Sequence, residues 1–426
     1  MTPLLMPYAL LICVAVALGG VLNTFQRFAV SALTPLILNV LLIVAAGGVW
    51  WTQIHGRTPA AVAAVTAQGT GIWWLVPAVL LAGVLHVWVH LRAAKQAAGG
   101  ERFRFEPDLR APEVRKVATL MAPALIGTGL IQFNILLDTV WATMLGPAAL
   151  ASLYFSQRII YLPVGLFGVA SSVVSLPAMS QSWARQERQE FCGQLAHSLR
   201  SVLFMCLPMT ALLIVLAEPI VRLVFQHGSF GESSVDATLW ALIFYLPGIP
   251  FFSLVKPLAN GFYARQDTRT PVLVTLGCLA VNVGLNLLVI APHAWPGSPF
   301  ALELLQPLQQ GGLAFSTTLC SLLNLFLLAL LFRRQTGLRV FHEVGPAFIK
   351  ILAATAVAAV AALLVLNGTR VMVDGKGPLL LQRLFTVLVP LAAGYGAYLA
   401  AAWLLGCEEL KELAVLIFTK LRRQKS

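Results

Sequence analysis

Asn23-Thr24-Phe25-Gln26-Arg27, followed by Leu33-Thr34-Pro35, returns later in the chain as Asn260-Gly261-Phe262-Tyr263-Ala264-Arg265, followed by Arg269-Thr270-Pro271. Each copy is a polar, basic turn between two long apolar runs. Each closes on a Thr-Pro, and proline's fixed φ and missing N–H suit it to the first turn of the next helix. In an apolar chain, a turn that recurs in the same context points to an internal structural repeat.

The surrounding composition sets the class. Of 426 residues, 58% are hydrophobic and 11% charged, and the mean hydropathy is +0.83. Eleven apolar runs, centred on 8–24, 34–52, 73–91, 117–145, 148–178, 197–217, 236–256, 270–291, 311–332, 346–366 and 380–405, come near the ~20 residues that cross a bilayer as a helix. Lipid admits only helices or closed barrels, and barrel strands would alternate polar and apolar residues over about ten positions. The expected fold is an all-α polytopic membrane protein.

The net charge of +12 is topological. Alternate loops and the tail, from Arg27 through the cluster between Arg92 and Lys116 to Lys425, hold 23 of the 29 basic residues. The opposite loops hold Arg57, Arg222, Arg370, Lys376 and Arg383. That asymmetry follows the positive-inside rule and puts the C-terminus in the cytoplasm. It argues against nucleic acid as a partner. The six cysteines form no CxxC pair, and His86 and His90, one helical turn apart, lack a third ligand, so no metal site is expected.

The phase of the repeat predicts more helices than these runs provide. The first copy joins runs one and two, the second joins runs seven and eight, so the period is six helices. Three runs precede the second copy within its unit; an equivalent first unit would need three helices ahead of residue 8. The expected plan is fourteen helices, eleven of them seen here, in two six-helix lobes plus a C-terminal pair. The corresponding segments are 1–91 (second half of an N-terminal lobe), 92–116 (cytoplasmic linker), 117–332 (C-terminal lobe), 346–405 (helix pair) and 407–426. In the last, Leu410, Leu413, Ala414, Ile417 and Leu421 share one helical face, which predicts an amphipathic helix on the lipid surface.

A few residues sit where lipid makes them costly. Arg158 lies about ten residues, or ~15 Å, beyond the Gly146-Pro147 turn, near the middle of a ~30 Å hydrocarbon layer. An arginine there costs about 2.5–3.5 kcal/mol on insertion scales and must face water or a partner. Asp138, on the preceding helix, lies at a similar depth. Two readings follow: a buried Asp138–Arg158 ion pair, or an anion-binding cavity in which the guanidinium fork meets phosphate. Asn282 and Asn286 share a helical face, with Gln132, Asn134, Thr317, Thr318 and Asn324 in other spans. Such amides either bond helices together or, with Asp138 and a hydroxyl, hold a cation. No GxSxG, HExxH, Walker loop or carboxylate pair suggests catalysis, so a transporter is expected rather than an enzyme.

The stretch Tyr154-Phe155-Ser156-Gln157-Arg158, continued through Leu162-Pro163-Val164-Gly165-Leu166-Phe167-Gly168 to Leu176-Pro177, resembles the MurJ/MviN family of lipid II flippases, as do the two repeated turns. The resemblance runs essentially the whole chain. It implies two six-helix lobes and a final pair forming a lipid groove. It also implies alternating-access transport of the undecaprenyl-linked peptidoglycan precursor, lipid II, across the bacterial inner membrane for cell-wall synthesis. Arg158 stands where the family has a cavity arginine; the other cavity arginines fall on helices ahead of this chain. Asp138, Asn282, Asn286 and Thr318 resemble a sodium site of some members, with Asn286 in place of an acid. Membrane lipids and cell-wall synthesis proteins are the implied partners, and a sodium ion the one candidate cofactor. The alternatives are an exporter of another undecaprenyl-linked oligosaccharide or of small cations, a glycosyltransferase on the same carrier, or a truncated fragment that does not transport.

Overall fold

A computed structural model describes residues 2–25, 30, 33–55, 73–97, 129, 132–294, 303–337, 340–373 and 378–411. They form two units, Met1–Lys116 and Val117–Ser426, and the described residues include no strand. Ten helices among them are long and apolar enough to span a membrane. The remaining predicted run, 117–145, is helical over 132–145, and its earlier part lies outside the described residues. So do most of the 92–116 linker and the tail beyond residue 411.

In the first unit, α1 (Thr2–Thr24), α2 (Pro35–Val49) and α3 (Leu75–Ala97) pack as a small bundle. Pro35 opens α2 as its first-turn proline. Gly83 lets α3 approach α1: a Cβ there would sit 3.0 Å from the Tyr8 ring. His86 and His90 are buried, but their ring nitrogens meet backbone carbonyls, Nε2 of His86 at Thr34 O (2.8 Å) and Nδ1 of His90 at His86 O (2.8 Å). The His86 contact pins the Thr34-Pro35 turn to α3, while that of His90 stays within α3. No group of three or more metal-binding side chains occurs among the described residues.

The second unit opens with α4 (132–145) and α5 (Pro147–Pro163), joined at Gly146, whose φ of 112° only glycine adopts easily. Beyond Pro163 the helix widens into a π segment, Val164–Val169, before α6 (Ala170–Ala184). Proline removes an intrahelical donor, and a π bulge is one way to absorb the break. Gly168 lies in this segment because α10 crosses there: a Cβ would stand 3.0 Å from Ser253 Cα. Next come α7 (Arg188–Val215), the short α8 (Ala217–Phe225), α9 (Glu232–Tyr245), a 3₁₀ turn at Leu246–Gly248 around Pro247, and α10 (Ile249–Tyr263).

The second repeat copy then turns the chain into α11 (Arg269–Ala294). Asp267 caps it, accepting from the Thr270 backbone N–H (3.0 Å) and hydroxyl (2.6 Å). Arg265 of the same turn lies 5.1 Å above the Trp183 ring, which also carries Arg188 at 3.3 Å. α12 (Gln309–Thr336), α13 (Val340–Val373) and α14 (Leu379–Leu404) complete the unit.

The last two helices pack on each other and against α7. The buried Tyr398 hydroxyl donates to the Phe204 carbonyl at 2.7 Å, and Gly394 admits Leu212. Polar clamps sit at both ends. At one, Arg370 meets Glu218 at 2.8 Å, and Arg383 donates to the carbonyls of Arg222 and Gln226 (3.0 and 2.9 Å). The Arg222 and Arg370 guanidinium groups outweigh partial burial and hold the Glu218 carboxyl below its usual range. At the other, Arg200 meets Glu408 and Glu409, each at 3.5 Å. Meanwhile Leu363, Leu364, Leu388 and Trp403 are exposed, as helix faces bathed in hydrocarbon should be.

Candidate functional site

Two polar features lie inside the spans of the second unit. The first is Arg158 on α5. Positions 148, 151, 154, 158, 161 and 162 are all exposed, which marks one open stripe along this helix. The opposite side, with Ser152, Ser156 and Ile160, is buried against α9, and Ser156 donates to the Thr238 carbonyl at 2.9 Å. Arg158 therefore points away from the helix packing. Its guanidinium lies 4.6 Å from the Tyr154 ring centre and donates to the Tyr154 hydroxyl. Tyr154 is one turn away on the same helix, so its aromatic face and hydroxyl steer the long side chain without neutralising it. No ion pair joins Arg158 to Asp138 or to any other acid among the described residues. The two lie on consecutive helices but on different faces. Of the two sequence readings, the geometry lacks the ion pair and leaves a cation with no acidic partner among the described residues.

The second feature is an amide-rich cluster around Asp138. The Asn286 amide donates to the Asp138 carboxylate at 3.0 Å and to Asn282 Oδ1 at 3.0 Å. Asn134 approaches the other carboxylate oxygen at 3.4 Å, and the Ser316 hydroxyl donates to Asn286 Oδ1. Three helices, α4, α11 and α12, thus meet through one chain of hydrogen bonds. Asn282 and Asn286 are buried. Thr318 is not in the chain: its hydroxyl donates to the Phe244 carbonyl at 2.8 Å. Asn324 instead reaches Thr275 at 3.5 Å. Next to the cluster, Gln157 donates to the Tyr245 hydroxyl at 3.2 Å.

Sequence reasoning did not identify Tyr154 or Ser316 as site residues. Tyr154 stands four residues before Arg158, a spacing that could have flagged it. Ser316 carried no signal beyond the adjacent threonines; only the rotation of α12 selects it.

A polytopic helical bundle with an arginine in a span that meets no acid among the described residues, and a half-buried carboxylate held by amides, has the makings of a membrane transporter rather than an enzyme. The comparisons narrow that class. Residues 1–374 match the family model described as lipid II flippase MurJ. The chain is 31% identical over 409 residues to a probable lipid II flippase MurJ of Vibrio cholerae, covering 96% of this chain and 71% of that protein. It is 33% identical to one from Rhizobium meliloti (69% of this chain, 52% of the relative), and 30% identical to the lipid II flippase MurJ of Burkholderia cenocepacia (66% and 52%). Its fold is similar to a lipid II flippase MurJ solved in an inward closed conformation, with a TM-score of 0.65 at 19% identity, covering 94% of this chain and 72% of the other. The chain belongs to the lipid II flippase MurJ family.

Proposed function

We propose that this multi-pass membrane protein carries lipid II, the undecaprenyl-linked peptidoglycan precursor, across the bacterial inner membrane by alternating access, and that Arg158 contacts its pyrophosphate. The observation that carries the reading is the charge left on Arg158. An unpaired guanidinium in a span is stable only beside water or an anion, and its fork of donors matches phosphate oxygens. Family membership supplies an anion attached to a lipid. The ten described spans and the 117–145 run fit within a fourteen-helix plan of two lobes and a closing pair, and the basic loops favour a cytoplasmic C-terminus.

In this scheme α13 and α14 provide the surface along which the polyprenyl tail runs while the head group crosses. Their exposed leucines, valines and alanines suit hydrocarbon, and the clamps on α7 and α8 keep them with the second unit.

The Asp138 cluster is the candidate coupling site. Its oxygens, Asp138 Oδ1 and Oδ2, Asn282 Oδ1 and Asn286 Oδ1, suit a hard monovalent cation such as sodium. The orientation of Asn286 stands against an ion as the cluster now lies, because its nitrogen faces both Asp138 and Asn282. Turning that amide over would present its oxygen instead, with the Ser316 hydroxyl accepting from the nitrogen. When bound, the ion would supply the positive charge that Asp138 lacks. Sodium should accordingly raise the melting temperature of the detergent-solubilised protein relative to potassium at equal ionic strength, and Asp138→Ala should abolish that increment. Stabilisation that survives Asp138→Ala would remove the cluster from ion binding.

Lipid II translocation by the reconstituted chain tests the transport reading. Preference for another undecaprenyl-linked oligosaccharide in the same assay would reassign the cargo.

A further inference from the structure

A cleft of about 400 Å³ opens between α5, the 226–231 turn and the start of α9, outside both polar features above. Its size falls within the ~300–1,000 Å³ typical of small-molecule sites. One wall belongs to the open stripe of α5: Ala148 and Ala151 lie on the same exposed face as Tyr154 and Arg158. At the ~1.5 Å rise of a helix, Ala151 is only about 10 Å along the axis from Arg158. The floor carries Phe155 and Phe230, whose rings meet edge to face with centroids 5.2 Å apart. The far rim is polar. Ser152 and Thr238 spend their hydroxyls on backbone carbonyls, but Ser229, Ser233, Ser234 and the His227 ring make no side-chain hydrogen bond within the described residues.

That combination selects among ligand classes. Among the described residues no lysine, arginine or carboxylate lines the cleft, so little in it beyond the His227 ring rewards an ionic group. An acyl chain would desolvate three hydroxyls and an imidazole and return no hydrogen bonds. A sugar ring suits both halves. Its C–H face lies against phenyl rings, and its hydroxyls exchange bonds with serines that can both donate and accept.

We propose that this cleft is a carbohydrate subsite, which holds the first sugars of the lipid-linked cargo while Arg158 holds the pyrophosphate. The inference rests on the flippase reading and deepens it: the second unit would recognise the head group at two points on one helix face, charge at Arg158 and sugar toward the Gly146 turn.

Equilibrium binding to the full chain in nanodiscs separates the two contacts. The probes are undecaprenyl pyrophosphate, the same carrier bearing a disaccharide without peptide, and lipid II. Ser233→Trp and Ala151→Trp fill the cleft from opposite walls at exposed positions, where folding is undisturbed. The wild-type chain should bind the disaccharide carrier at least about tenfold more tightly than the bare carrier, a difference of ~1.4 kcal/mol. Both tryptophan variants should bring that ratio near one and leave affinity for the bare carrier unchanged. Arg158→Ala should weaken all three ligands and preserve the ratio. A wild-type ratio near one, or a ratio that survives in both tryptophan variants, would overturn the subsite and leave the flippase reading standing. Failure of the wild-type chain to bind any of the three would overturn both.

Discussion

Arg158→Ala is expected to abolish growth of a strain depleted of its own lipid II flippase, with the variant still present in the membrane at wild-type levels. The size of the effect follows from the chemistry. A hydrogen bond to a charged group contributes about 1.5–3 kcal/mol, and a guanidinium can make two such bonds to one phosphate. Losing both corresponds to roughly a hundredfold or more in affinity for the pyrophosphate. Folding should not suffer, because Arg158 is exposed and, among the described residues, bonds only to Tyr154 on its own helix. Removing an uncompensated charge from a span should even favour insertion. Arg158→Lys keeps the charge but loses the planar fork, so it should fall between the two. Immunoblots of the membrane fraction alongside growth curves make the check. Normal growth on the alanine variant would show that this arginine does not hold the cargo.

The second large effect is structural. A Cβ at Gly394 would collide with Leu212 of α7 and stand 3.1 Å from Ala362 Cβ and 3.2 Å from the Ala358 carbonyl, both on α13. Gly394→Val therefore inserts two further methyl groups where three helices meet. Overpacking of this kind costs typically ~1–3 kcal/mol. Here the contact is with backbone as well as side chain, so little can yield, and the cost should sit at the upper end. The C-terminal pair should loosen from α7, lowering the thermal midpoint of the purified protein by several degrees. A cysteine pair placed across the α7–α14 contact should cross-link less readily in the variant. An unchanged midpoint and unchanged cross-linking would mean that the pair is not seated through this glycine.

How far the sequence could be read depended on which coordinate was asked for. Position along a helix is nearly linear in residue number, so the positions of the helices and the Thr-Pro turns were legible. Composition sufficed because lipid tolerates few alternatives to an unbroken apolar helix. Rotation about each axis was not legible. Arg158 and Asp138 have matching expected depths, which made an ion pair plausible, yet α5 turns its arginine to the open stripe and α4 turns its aspartate to Asn286. The same blindness hid Ser316 and included Thr318, two residues and about 200° of rotation away: Ser316 faces the amide cluster, whereas Thr318 donates to the Phe244 carbonyl. The clamp of Arg383 on Arg222 and Gln226 joins residues 157 or more positions apart in sequence. No local pattern announces it.

The histidines show the same limit in reverse. The i,i+4 spacing of His86 and His90 offered half of a metal site, and burial made them look more suggestive still. Their bonds instead go to the Thr34 and His86 carbonyls, and the first of these braces the first repeated turn. Thr34 was conspicuous in sequence as part of a repeat; the partner that holds it came from fifty-two residues away.

The most direct test of the central claim is translocation of fluorescent lipid II by this chain in proteoliposomes, read as the fraction of label that becomes accessible to a membrane-impermeant quencher. The wild-type chain should move label faster than protein-free vesicles, and Arg158→Ala at equal incorporation should return the rate to that background. A wild-type rate equal to background, or an Arg158→Ala rate equal to wild type, would contradict it.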